Sequence, residues 1–144
     1  MNEAEFRTFC EGLLGSPYIF GKEGPDTFDC SGLAYFVLER LGIDPGGRST
    51  RGLHRHFVDD GHGTPVDDEA DIGLGDLCFY TNDDGKICHV TIGWGNGEVF
   101  EAGRGDESTT TVERAEAMGA KVMISSLHRH KHFKDAVRPK GLPW

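Results

Sequence analysis

A cysteine becomes a nucleophile where its surroundings favour the thiolate, and Phe28-Asp29-Cys30-Ser31-Gly32-Leu33 supplies such surroundings. From Leu33 the large apolar residues fall at Phe36, Val37 and Leu41, the i, i+3, i+4, i+8 spacing of a helix with one buried face. Asp29 is a good N-cap type just ahead of that run. Cys30 then occupies the first turn, where free N–H groups and the positive end of the helix dipole favour an anion. A thiolate there has a lowered pKa and is a usable nucleophile near neutral pH. Taken alone, a small buried cysteine in a helix explains the same residue. The nucleophile needs a base, and the base needs a group that orients it.

Both can be placed on one hairpin. Lys86 to Trp94 reads as a strand with Cys88, Val90, Ile92 and Trp94 on one face and Ile87, His89 and Thr91 on the other. Glu98 to Ala102 reads as the next strand. A three-residue loop, Gly95-Asn96-Gly97 with Gly97 left-handed, pairs Trp94 with Glu98, Ile92 with Phe100 and Thr91 with Glu101. Glu101 then shares a face with His89, diagonally across the strands at about 7–8 Å. A two-residue loop of Asn96-Gly97 would pair Gly95 with Glu98 and send Glu101 to the opposite face. The apolar pattern agrees with the longer loop, which gathers Val90, Ile92 and Phe100 on the buried side.

Together these are the parts of a thiol hydrolase: Cys30 the nucleophile, His89 the base and proton donor, and Glu101 the group that fixes the imidazole tautomer. Singly, His89 is a satisfied strand histidine and Glu101 a solvated strand-end carboxylate. Their arrangement is what argues for chemistry.

The elements that position them follow from local signals. Asn2, with Glu5 reaching back, caps a first helix whose apolar stripe is Phe6, Phe9, Cys10, Leu13 and Leu14, ended near Gly15. A turn-rich connection, Ser16 to Asp26, delivers the chain to Cys30. The cysteine helix stops at Leu41-Gly42, and Arg48 to Phe57 forms a short helix. Asp59 to Gly75 is acidic, Gly-rich and aperiodic, and reads as a surface loop. Leu77-Cys78-Phe79-Tyr80 is a strand and Asn82-Asp83-Asp84-Gly85 a turn. Gly103 to Ser108 is loop, Thr109 to Val112 extended, Lys121 to Ser125 a strand, and Phe133 to Val137 a last short strand. Helices first and strands later make an α+β pattern, expected to fill one domain, residues 1–144.

Composition excludes several classes. Lys+Arg number 15 against 24 Asp+Glu, a net charge of -9, which argues against nucleic acid and against an anionic membrane surface as the main partner. No apolar run approaches the ~18 residues of a membrane span. The opening MNEAEFRTFCEGLL lacks a basic stretch ahead of an apolar core, so synthesis in the cytoplasm without a signal peptide is expected. The four cysteines form no CxxC pair, which speaks against a disulfide framework or a zinc cage. Cys10, Cys78 and Cys88 read as buried small hydrophobes.

Tyr18-Ile19-Phe20-Gly21, Phe28-Asp29-Cys30-Ser31-Gly32-Leu33, Gly75-Asp76-Leu77-Cys78-Phe79-Tyr80 and His89-Val90-Thr91-Ile92-Gly93-Trp94-Gly95-Asn96-Gly97 together resemble the NlpC-type cell-wall peptidases. The resemblance runs from about Ala4 to Pro139. It implies a papain-like fold, with the nucleophile at a helix start packed on an antiparallel sheet. It implies cleavage of peptidoglycan stem peptides, often beside D-γ-glutamyl residues, with Cys30 and His89 catalytic and no cofactor. Tyr18 would bind or stabilise the oxyanion side. Asp29, Ser31 and Arg48 belong to the motifs that line the cleft, Arg48-Ser49-Thr50 matching a short Arg-Ser/Thr motif of the family. Glu101 stands where relatives usually carry His, less often Asn or Gln. Lys22 replaces a family glycine. Action at the cell wall follows from the same resemblance; Ile124 to Leu127 and the ending Phe133 to Pro139 look most like phage tail-associated members, which would make tail components partners and the protein virion-associated.

Two histidine groups remain, His54 and His56 around Arg55, and His128, His130 and His132 alternating with Arg129 and Lys131. Alternate strand residues share a face and could bind a metal. With no acidic or cysteine partner at a supporting spacing, a solvated basic strip is the expectation, and no metal site is assigned. The readings to be weighed against hydrolysis are a non-catalytic wall-binding or tail-structural module on the same fold, and an amidase acting on another substrate class.

Overall fold

The computed structural model describes all 144 residues, Met1–Trp144. Helix α1 spans Glu3–Glu11, and its Asn2–Glu5 capping box is formed in both directions. The stripe breaks off earlier than its pattern suggests, with the cap at Gly12 and Leu13 and Leu14 in the following turns. Helix α2, Cys30–Arg40, begins on Asp29, whose carboxylate accepts from the Gly32 N–H at 2.7 Å. Leu33, Val37 and Leu38 are buried along it, each contributing about 1.5–3 kcal/mol by leaving water. Gly32 is fixed by crowding: a Cβ there would lie 2.0 Å from the Lys22 carbonyl oxygen, so the 21–23 loop can cross the first turn only over a glycine.

Helix α3, Thr50–His54, runs on into a π turn, Arg55–Asp59. Six strands follow: β1 Gly63–Pro65, β2 Leu77–Thr81, β3 Ile87–Gly95, β4 Glu98–Gly103, β5 Lys121–Ser126 and β6 Phe133–Pro139. They form one antiparallel sheet in the order β1-β6-β2-β3-β4-β5. Helix α2 packs on β3 and β4, and the main core, including Phe28, Leu33, Phe79, Val90, Ile92 and Phe100, lies between. Cys78, Tyr80, Val99, Leu127 and Ala136 form a smaller cluster on the other face of the sheet. The architecture is α+β.

Two segments differ from the sequence reading. Asp59 to Gly75 is not all loop: Gly63–Pro65 pairs with β6, and Glu69–Asp71 makes a turn of 3-10 helix. Val112, read as the end of an extended stretch, starts helix α4, Val112–Met118, capped by Thr111. Only Ala115 of α4 is buried, so no apolar stripe announced it.

The hairpin reaches the expected pairing by an unexpected route. Ile92 does pair with Phe100, but Gly95 pairs with Glu98, so the turn is the two-residue Asn96-Gly97 with both φ positive. Alone, that turn would put Glu101 on the wrong face. Trp94 is the extra residue of a β-bulge between Gly93 and Gly95, and the bulge restores the alternation.

Candidate active site

A second bulge lies at the site itself. Tyr80 pairs with His89 and Thr81 with Ile87, which leaves Cys88 as the extra residue of β3. Bulges bend and twist a strand next to active sites, and here one sits immediately before the histidine. His89 and the first turn of α2 line one cleft of about 650 Å³, with Tyr18, Arg48, Thr50 and Cys88 among its walls. A smaller cavity of about 310 Å³ along β1 and β6 shares no residue with it.

Within the cleft the three sequence-derived residues lie together. His89 Nε2–H donates to Glu101 Oε1 at 2.9 Å, which leaves Nδ1 unengaged, and His89 is near enough to Cys30 for each to shift the other's ionisation. The Thr50 hydroxyl lies 3.7 Å from Cys30 Sγ. Glu101 is only 1% exposed, and a carboxylate buried so deeply must be fully partnered. Arg129 donates to it through Nη2 at 2.8 Å and Nε at 3.3 Å, and the Ser125 hydroxyl donates to Oε2.

This network sets the protonation states. Burial pushes the Cys30 thiol up, but the hydrogen bond and charge of His89 and the Thr50 hydroxyl outweigh it, and the thiol titrates below its ordinary value. Burial pulls His89 down, yet Cys30 and Glu101 together raise it to about 9. Burial works against the Glu101 carboxylate as well. Its bonds to His89 and Arg129 prevail and hold it at about 2. All three directions favour a thiolate–imidazolium pair. Burial raises the Tyr18 phenol above its usual range, so it stays a neutral donor in the cleft. A Cβ on Gly105 would meet the Tyr18 ring at 2.2 Å, and so the loop after β4 can lie against that ring only through a glycine.

Asp29, Ser31 and Arg48 are brought together, and they mainly hold one another. Besides capping α2, Asp29 accepts from Gly21 N–H at 2.8 Å and from Arg48 Nη2 at 3.1 Å, so capping alone does not account for it. Arg48 Nη1 donates to the Ser31 hydroxyl at 2.7 Å, and its Nε pairs with Glu23 at 2.6 Å. This ties the Gly21 loop, the start of α2 and the start of α3 into one frame around the nucleophile.

Other expectations are corrected. The run His128 to His132 lies between β5 and β6 and not on a strand; His128, Lys131 and His132 are exposed, as expected of a solvated strip, while Arg129 and His130 are half-buried against the site. His128 Nε2 meets Glu69 at 2.8 Å and His132 Nε2 meets Asp83 at 2.8 Å, while His130 stacks on His89. His54 bonds Asp135, and His56 stacks on His62. Arg129, Ser125 and His130 all bear on the site and were missed as site residues. Their positions depend on β5 pairing beside β4 and on the 127–132 segment leading from β5 at one edge of the sheet back to β6 beyond β2, which no local spacing encodes.

Cys10 and Cys78 are buried as expected, with burial pushing both thiols up to about 12. Cys88 is instead exposed, because the bulge turns it out, and its thiol is raised by desolvation and by Cys30. Exposure without thiolate character does not make a reactive cysteine. At neutral pH iodoacetamide is therefore expected to label Cys30 at least about tenfold faster than Cys88, with Cys10 and Cys78 unlabelled until unfolding. Peptide mass spectrometry of a time course reads this directly, and equal rates at Cys30 and Cys88 would contradict it.

This geometry defines a class. Residues 15–129 match the NlpC/P60 family model, and the chain belongs to that family. It is similar to the probable endopeptidase p60 of Listeria grayi, 34% identical over 90 residues, which are 62% of this chain and 16% of that protein. It is also similar to the gamma-D-glutamyl-L-lysine dipeptidyl-peptidase of Bacillus subtilis, 29% identical over 119 residues, 78% of this chain and 36% of that one. The chain thus spans a minor part of the length of these curated relatives. The solved NlpC/p60 domain of the peptidoglycan hydrolase SagA superposes with a TM-score of 0.66 at 26% identity, covering 95% of this chain and 98% of that one. The fold is that of the NlpC/P60 papain-like proteins.

Proposed function

We propose that this chain is a cysteine peptidase that hydrolyses amide bonds of peptidoglycan stem peptides at the cell wall, beside a D-γ-glutamyl residue. The observation that carries the reading is the buried His89–Glu101 hydrogen bond beside Cys30, whose thiol His89 draws toward ionisation, at an open cleft. The Cys30 thiolate attacks the amide carbon. Developing charge on the oxygen meets the N–H of Cys30, free at the first position of α2, and the Tyr18 hydroxyl. The His89 imidazolium gives its Nδ1 proton to the leaving amine, and the neutral imidazole then takes a proton from the water that cleaves the thioester. Glu101 holds the ring by Nε2–H throughout. The D-γ-glutamyl position rests on the similarity to the Bacillus peptidase and to the family motifs.

A wall-binding module without catalysis would need neither a buried, four-times-bonded carboxylate nor a thiol drawn toward ionisation. The test is digestion of purified sacculi and a defined stem-peptide muropeptide, followed by mass spectrometry. Release of a fragment with a new amino terminus directly after D-glutamate is expected. Sacculus binding with no new termini would support the non-catalytic module. An intact muropeptide together with a fast-labelling Cys30 would support an amidase of another substrate class.

A further inference from the structure

His130 is tied to the site by geometry that the hydrolytic steps do not use. Its ring stacks on that of His89 at 4.4 Å between centroids and 11° between planes. It also packs on Tyr80 at 5.3 Å, and Tyr80 in turn packs on His89 at 5.5 Å. The Tyr80 hydroxyl donates to the Leu127 carbonyl at 2.7 Å, pinning the wall on which both imidazoles rest. His130 Nδ1–H donates to the Lys131 carbonyl at 3.2 Å, which makes Nε2 the unprotonated nitrogen of a neutral ring. The neighbouring Arg129 is the residue that clamps Glu101, so one turn delivers both the clamp and the stacked ring.

We propose that His130 is a positioning residue: its neutral ring covers the His89 imidazole, holding it in the plane that joins Cys30 to Glu101, and ceases to do so once protonated. The inference rests on the Cys30–His89 reading given above. A buried imidazole held at Nε2 by Glu101 and facing a thiol loses its alignment if water reaches the Nε2–H···Glu101 bond or if the ring tilts. A flat ring stacked on it prevents both. Two parallel imidazolium rings at this separation repel strongly. Once His130 takes a proton, either the stack opens or His89 gives its proton to the Cys30 thiolate, and the nucleophile is lost.

The charged and titratable groups around His130 are few. His89 and Cys88 face it from β3, Glu101 from β4 and Tyr80 from β2, with Arg129 and Lys131 on its own turn, and Asp83 and His132 across an adjoining pocket. Burial, the His89 charge and Arg129 all disfavour its cationic form, and the Lys131 carbonyl and Glu101 only partly offset them, so it titrates below the ordinary histidine value. Its neutral form is therefore the one favoured beside the His89 imidazolium.

The test is the rate of Cys30 alkylation by iodoacetamide against pH in the full chain, for wild type, His130→Phe and His130→Ala. A second readout is the imidazole Nε2–H resonance of His89. Wild type is expected to lose reactivity on its acid limb with uptake of two protons. His130→Phe, which keeps a flat ring but cannot ionise, should lose it with one proton and keep the resonance. His130→Ala should lose the resonance to solvent exchange. A one-proton limb in wild type, an unchanged two-proton limb in His130→Phe, or a resonance that persists in His130→Ala would each overturn the proposal. A wild-type Cys30 that reacts only in the ordinary thiol range would overturn the Cys30–His89 pair and this inference with it. A failed muropeptide digest with the alkylation pattern intact would count against the substrate alone.

Discussion

Cys30→Ala is expected to abolish muropeptide hydrolysis, lowering kcat by at least about 10⁵-fold, the scale seen when a hydrolase loses its nucleophile. No other group in the cleft can replace it. Cys88, the other thiol lining the same cleft, is pushed away from ionisation and cannot take over. The fold should be untouched. Cys30 is half-buried, its sulfur meets the Thr50 hydroxyl, and alanine is a better helix residue than cysteine. The measurement is single-turnover digestion of a defined muropeptide alongside circular dichroism and thermal unfolding. Activity within about a hundredfold of wild type, with the fold preserved, would rule out thiolate attack.

Glu101→Gln should lower kcat by about tenfold to a hundredfold and shift the pH profile. Replacing the acid of a serine-protease triad by its amide costs about 10⁴-fold. Less is expected here because glutamine can still accept the His89 Nε2–H. What it loses is the charge. With the carboxylate gone, His89 should fall from about 9 toward its ordinary 6.5. The imidazolium that protonates the leaving amine then disappears at lower pH, and the alkaline limb of kcat/KM moves down with it. Arg129 loses its anionic partner but is partly exposed and can turn to water, so the variant should fold.

Stability gives the same residue a second signature. The folded Glu101 carboxyl sits near 2 against an ordinary 4.5, so its contribution is fully present above 4.5 and is lost as pH falls through about 2. Urea midpoints measured across that range should fall in wild type and change less in Glu101→Gln. Superimposable pH–rate profiles for the two proteins would remove Glu101 from the mechanism.

Much of the site could be read from the sequence because its parts are signalled locally. Asp29 caps α2, the apolar spacing after it sets the helix phase, and the alternation from Cys88 to Ile92 sets the face of His89. Glu101 lies on the face that the alternation assigns it although the turn is shorter than three residues, because the burial of Val90, Ile92 and Phe100 constrains register more strongly than the turn does. The rest depends on contacts distant along the chain. Arg129 meets Glu101 across 28 positions, and His130 stacks on His89 only because the chain returns from β5 across to β6. Helix α4 went unread because one buried alanine leaves no period to detect. The exposure of Cys88 follows from a bulge, which is invisible to a strict two-residue alternation.

The bulge at Trp94 also limits which length changes this hairpin can accept. Its bulged residue is no loose insertion: Trp94 is buried, packs on Phe100 at 5.6 Å, and carries Arg7 of α1 over its ring at 4.8 Å. Removing one residue at the tip or at the bulge would be an error of parity and not of length. Every side chain of β4 would exchange sides, carrying Glu101 away from His89 and Phe100 out of the core. Two such changes, one at the tip and one at the bulge, would cancel. Homologues with shorter or longer tips should therefore differ in steps that preserve parity, or carry a compensating change beside the tryptophan, and grafted tips should be chosen by the same arithmetic.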